Sequence, residues 1–115
     1  MKIINITKNT VISEDAVLAD VPFKRMKGLL GKKYLGKSEA LILKPCNSVH
    51  TFFMRFPIDV LFLDKNNRVV KAINSLKPFR VTPIYFTATL AIELPIGTIQ
   101  GTSTRQDDIL QLIAP

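Results

Sequence analysis

The sequence predicts a mainly β chain, a compact antiparallel sandwich or barrel with one short helix near residues 21–30. Three observations carry this reading. Short apolar runs rich in β-branched residues recur along the chain, and turn-forming residues separate them. Helical spacing of apolar residues is clear in one stretch alone. The length of 115 residues suits one domain, 1–115, able to bury roughly two-thirds of its unfolded surface.

The first strands are Lys2–Thr7 and Thr10–Ser13, joined by a turn at Lys8-Asn9, with Ala16–Ala19 continuing the pairing. Asp20 then precedes Val21-Pro22-Phe23 and reads as a helix start. Its carboxylate can accept orphan amide hydrogens, and Pro22 sits where a missing N–H costs nothing. Phe23, Met26, Leu29 and Leu30 follow at helical spacing, with Lys24 and Lys27 on the wet side; Gly28 and Gly31 suit close packing and a stop.

After Gly36 the strands resume. Ala40–Leu43 is a buried-looking run closed by Pro45, Ser48–Arg55 reads as extended, and Ile58–Leu63 is almost wholly apolar. Asp64-Lys65-Asn66-Asn67-Arg68 has the composition of a hairpin turn, with Val69–Ile73 as the return strand. Pro78 and Pro83 flank an irregular stretch. Thr87–Leu94 is the next strand, ended by Pro95 and Gly97, and Asp108–Ile113 the last.

Composition excludes several classes. One cysteine, Cys46, cannot close an internal disulfide, and one histidine with one cysteine cannot alone complete a zinc site, so neither metal nor cofactor is expected. No apolar run is long enough to span a membrane, and the polar residues of Met1–Lys8 interrupt any signal-peptide core, which gives a soluble, cytoplasmic expectation. The net charge of +7 is uneven: residues 21–80 carry 13 Lys+Arg against 3 acids, and both ends are weakly acidic. The Lys24–Lys37 cluster could serve a nucleic acid, an acidic lipid or an acidic partner, but Lys dominates it and it is separate from the Phe-rich segment. It reads as a solubilising face, with nucleic acid an unfavoured alternative.

Chemistry concentrates in Cys46–Asp59. If this segment is extended, Ser48, His50, Phe52 and Met54 share one face, with Thr51, Phe53 and Arg55 on the other. A lone histidine beside aromatics reads first as a structural residue, and Cys46 as a small buried hydrophobe. Asp59 enters a very apolar strand, where an ionised carboxylate must be paired or capped; Arg55, Arg25 and His50 are its candidate partners. Glu93 poses the same problem in Ala91–Pro95. The patterns for phosphate loops, dinucleotide sites, serine hydrolases and zinc proteases are missing from the sequence.

These residues together produce a resemblance. Arg25-Met26-Lys27-Gly28-Leu29-Leu30-Gly31 is similar to the R-x-x-G-L-[ML]-G signature of the prokaryotic family known as domain of unknown function 192. Ser48–Asp64, Glu93-Leu94-Pro95-Ile96-Gly97 and Asp107-Asp108-Ile109-Leu110 fit in order. The resemblance implies a jelly-roll-like β-sandwich and no established activity, and it implies that related proteins are often exported. The chain departs from the family pattern at Asp107, which stands where Gly is usual; a positive φ there would carry some cost.

The polar residues Arg25, His50, Arg55, Asp59 and Glu93 therefore form the candidate cluster, binding or structural. The leading expectation is a non-enzymatic ligand-binding or accessory module taking a small anionic or hydroxyl-rich ligand. The alternative is a small hydrolase-like enzyme using Asp59 or Glu93 with His50, which requires those groups to converge.

Overall fold

The computed structural model describes residues 1–19, 35–52 and 54–115. β1 (Lys2–Asn5) and β2 (Thr10–Ser13) form the expected hairpin, with Asn9 at φ 56° and the Asn5 side chain accepting from the Lys8 amide at 3.0 Å. Asparagine is among the residues that tolerate this left-handed conformation. β8 (Leu110–Ile113) pairs with the other edge of β1 to complete a three-stranded antiparallel sheet, β2-β1-β8.

β3 (Asp15–Ala19) does not extend that hairpin. It crosses into a second sheet and runs parallel to β4 (Glu39–Leu43), from Asp15 opposite Glu39 to Ala19 opposite Leu43. Ser13 redirects the chain: its hydroxyl donates to the Ser38 carbonyl at 2.6 Å and accepts from the Asp15 amide at 3.2 Å. With β5 (Ile58–Leu63), β6 (Val69–Leu76) and β7 (Leu90–Pro95) the other pairings are antiparallel, and the five-stranded order is β3-β4-β7-β5-β6.

β5 and β7 are, with β4, the inner strands, and their near-continuous apolar runs follow from having both faces covered. The β5–β6 turn is built as its composition predicts. The Asp64 carboxylate accepts from the Asn66 and Arg68 amides, and Asn67 takes φ 60°. β6 (Val69–Leu76) runs three residues beyond the expected return strand.

One face of the larger sheet packs on the smaller one. Ile42, Leu61, Leu63, Ile92 and Leu94 meet Ile3, Ile12 and Leu110 there. The opposite face presents Leu41, Leu43, Val60, Phe62 and Ala91 to the loops on either side of β5 and β6, through Cys46, Val49, Met54 and Ala88. Phe62 is fully buried with its ring 4.7 Å from that of Tyr85. Each such buried apolar side chain contributes roughly 1.5–3 kcal/mol.

Ser48–Arg55 is not the extended strand expected. It holds a single bridge, His50 to Val81, and then turns, with the Met54 amide donating to the Thr51 carbonyl at 3.2 Å. The buried Thr51 hydroxyl donates to the Lys77 carbonyl (2.6 Å) and accepts from the Arg80 amide (2.9 Å). Side-chain-to-backbone bonds thus supplement a short, irregular backbone pairing. Met54 returns to the core while His50 and Phe52 stay outside, which separates residues that an extended strand would place on one face.

The helix expected near residues 21–30 lies outside the described residues. Among the described residues a short helix, α1 (Thr98–Gly101), follows β7, where Pro95 and Gly97 read only as a strand end. Gly97 takes φ 89°, a conformation that suits glycine, and Thr98 Oγ1 donates to the Pro95 carbonyl at 2.7 Å.

Candidate functional site

Asp59 is wholly buried near the start of β5, opposite Leu94 of β7. Its two oxygens divide between two backbone donors. Oδ1 accepts from the Ser75 amide at 2.9 Å, and Oδ2 from the Ile99 amide at 3.0 Å. Ser75 stands at φ 53°, near the register shift between Ile58 and Val60, and Ile99 lies in the first turn of α1. A buried carboxylate is tolerable when amide hydrogens satisfy it, and here they come from two elements that it joins. Neither Arg55 nor His50 is the partner; the sequence pointed to capping as one solution, and capping is what occurs.

Glu93 sits one step away in register, opposite Val60 of β5 and Leu41 of β4. Those neighbours belong to the loop-covered face, whereas Leu94 and Leu61 belong to the inter-sheet core. Side chains alternate along strands, so Asp59 and Glu93 project from opposite faces of the same sheet. They do not form one cluster.

Glu93 is 6% exposed, and among the described residues no hydrogen bond or ion pair reaches its carboxylate. Among the described residues no fully enclosed side-chain oxygen or nitrogen lacks a partner, so the carboxyl retains a narrow contact with solvent. Burial pushes its pKa up from 4.5 to about 7.

His50 is exposed, its ring stacked on Phe52 at 5.3 Å and 28°. Arg55 is also exposed and makes no ion pair among the described residues. Neither is bonded to Asp59 or Glu93. Arg25 lies outside the described residues, as does most of the Lys24–Lys37 cluster; Lys37 is exposed. Cys46 is buried as expected, with its thiol 3.1 Å from the Ser48 carbonyl. Among the described residues no three His, Cys, Asp or Glu side chains are grouped to hold a metal. Nor is any described helix long and apolar enough to cross a membrane.

A third buried carboxylate, Asp108, escaped the sequence reading, which placed it only at the start of the last strand. It accepts from Asn5 (3.0 Å), from the Arg105 amide (3.0 Å) and from Lys8 Nζ at 2.8 Å. Burial opposes its ionisation, but the Asn5, Lys8 and Arg105 contacts outweigh burial and hold its pKa below the ordinary value. The signal available was Asn5, a fully buried amide inside an apolar strand.

Comparisons with known proteins agree with this architecture. A UPF0127 protein of Thermococcus kodakarensis is 32% identical over 112 residues, covering 94% of this chain and 71% of its own length. One from Pyrococcus furiosus is 34% identical over 113 residues, covering 94% and 95%. A protein of unknown function from Novosphingobium aromaticivorans shares the fold with a TM-score of 0.84 at 18% identity, covering 97% of this chain and 84% of its own. A Sinorhizobium meliloti protein whose name, transcription regulator, is provisional has a TM-score of 0.81 at 16% identity, covering 96% and 89%. The family model DUF192, Uncharacterized ACR, matches residues 3–112, and the chain belongs to that family.

Proposed function

We propose that the chain, as one domain over residues 1–115, is a non-enzymatic binding module that takes a small hydroxyl-rich ligand at Glu93. The observation that carries this reading is a buried carboxyl that no described residue bonds and that keeps a narrow contact with solvent. Such a group is costly to the fold unless something else uses it. With a pKa of about 7 it exists near neutrality in both forms, so it can accept hydrogen bonds from one hydroxyl and donate to another. The chain's net charge of +7 disfavours an organic cation. An uncharged polyol suffers no such repulsion.

Binding is favoured over catalysis because the second acid is engaged elsewhere. Both Asp59 oxygens are held by amides on the far face of the sheet, and His50 contacts neither carboxyl. A paired acid–base mechanism lacks its second member.

Amide NMR spectra of the full chain titrated with glycerol, glucose and myo-inositol test the proposal. At least one polyol should shift the amides of Leu41, Val60 and Ala91 with roughly millimolar affinity. Glu93→Leu should abolish those shifts and leave the rest of the spectrum folded. No shifts in the wild type, or equal shifts in the variant, would defeat the reading.

A further inference from the structure

Two segments on the loop-covered side are held together by backbone bonds. The Thr51 amide donates to the Arg80 carbonyl, the Phe79 amide to Thr51, the Thr82 amide to Val49, and the Tyr85 amide to Asn47. Along this pair Val49, Thr51 and Thr82 face inward, while Phe52, Phe79, Val81, Ile84 and Phe86 remain in solvent. Phe86 is 88% exposed and Phe79 is 62% exposed. Isolated apolar residues on a surface need no explanation, but a contiguous group of aromatic and aliphatic side chains does.

Charge accompanies the apolar side chains. Residues 40–58 and 65–92 contain no Asp and no Glu, and they carry Lys44, Arg55, Lys77 and Arg80 beside these segments. All four cations are exposed, and none makes an ion pair among the described residues. Arg80 lies between Phe79 and Val81, so cation and apolar groups interleave.

The loop is also held stiffly. Phe79 takes φ 61°, a conformation unusual for a bulky side chain, and the two Thr51 hydroxyl bonds fix the backbone on either side of it. Strain at a solvent-facing phenylalanine contributes nothing to the core. It presents the ring outward, with its ordering cost met before any encounter.

We propose that this face docks on an anionic lipid surface, with Phe79 and Phe86 entering the headgroup–acyl boundary and Arg55, Lys77 and Arg80 meeting lipid phosphates. The side chains protrude, as insertion requires, and the acid-free, cation-bearing stretches of chain that carry them match a negatively charged bilayer. A second copy of the chain would set the same unpaired cations against one another. An acidic protein would have to supply recesses for rings this exposed, whereas a bilayer needs no preformed shape.

Co-sedimentation of the full chain with vesicles tests this. The wild type should bind vesicles of equal parts phosphatidylcholine and phosphatidylglycerol, bind pure phosphatidylcholine at least about tenfold less, and be released at about 0.5 M salt. Phe79→Asn and Phe86→Ser should each weaken binding about tenfold. Asn tolerates the positive φ at 79, and unchanged thermal unfolding would show that the fold is kept. Lys77→Gln with Arg80→Gln should abolish the preference for anionic lipid. Glu93→Leu should bind vesicles normally, which separates this face from the proposed polyol site. The proposal is overturned by absence of wild-type binding, by equal binding of the Phe variants, or by self-association that Phe79→Asn removes.

Discussion

Asp59 and Glu93 occupy neighbouring strands one register step apart, yet their carboxylates leave the sheet through opposite faces. One is met by two backbone amides and the other by no described residue. The same problem, an acid on an inner strand, therefore has two outcomes. Asp59 ties α1 to the irregular end of β6, and Glu93 remains available to a ligand or a proton.

Asp59→Asn should destabilise the fold without touching ligand binding. The asparagine oxygen can satisfy one amide, but its NH₂ group then faces a second N–H donor, leaving that amide unpaired. The expected loss is about 2–3 kcal/mol, read as a lower urea midpoint with an unchanged slope. Polyol and vesicle binding of the folded fraction should match the wild type.

Glu93 makes stability depend on pH in a defined direction. Its pKa is about 7 in the folded chain against an ordinary 4.5, so the native state holds the proton more tightly than the unfolded state. Stability therefore falls as pH rises from about 4.5 to about 7, by roughly 3 kcal/mol for this group. Glu93→Gln should flatten that part of the profile and raise the urea midpoint at pH 8. An unchanged slope between pH 5 and pH 7 in the variant would contradict the assignment.

Asp108 acts with the opposite sign. Its carboxylate is held below the ordinary range, so the stability it contributes is present above about pH 4 and is lost as pH falls through its folded pKa. Asp108→Asn should cost about 2 kcal/mol at neutral pH, because Lys8, half-buried, loses its counter-charge and the Arg105 amide its acceptor. Lys8→Met should cost less, since Asn5 and Arg105 would still serve the carboxylate. Urea unfolding of the two variants at pH 7 orders them.

What could be read from the sequence divides along physical lines. Ile58–Leu63 and the Asp64–Arg68 turn were legible because burial on both faces and side-chain-capped turns are local properties. The crossing of β3 into the other sheet was not, since it depends on Ser13 meeting Ser38 across 25 residues. Ser48–Arg55 looked like a strand because its composition suits one; Thr51 bonding to residues 77–80 overrides that composition. Asp59 and Glu93 stand out in the sequence as acids in apolar strands, and both are buried. Their opposite facing follows from register, which requires knowing where β7 pairs with β5.

Asp107 gives the last prediction. It takes φ 76°, where the family resemblance leads to an expectation of glycine, and its carboxylate has only a marginal, exposed contact with Arg68 at 4.0 Å. Its amide still donates to the Val69 carbonyl at 2.8 Å, so the backbone conformation is fixed by the junction of β6 with the turn before β8. A side chain at positive φ carries a steric cost that glycine avoids, although glycine also gives the unfolded chain more freedom. Aspartate is among the residues that bear this conformation best, so the two effects nearly balance. Asp107→Gly should therefore change stability by no more than about 1 kcal/mol, on the stabilising side, whereas Asp107→Val should lose at least about 1 kcal/mol. Thermal unfolding of the pair measures the difference, and a valine variant as stable as the glycine variant would show that the turn relaxes.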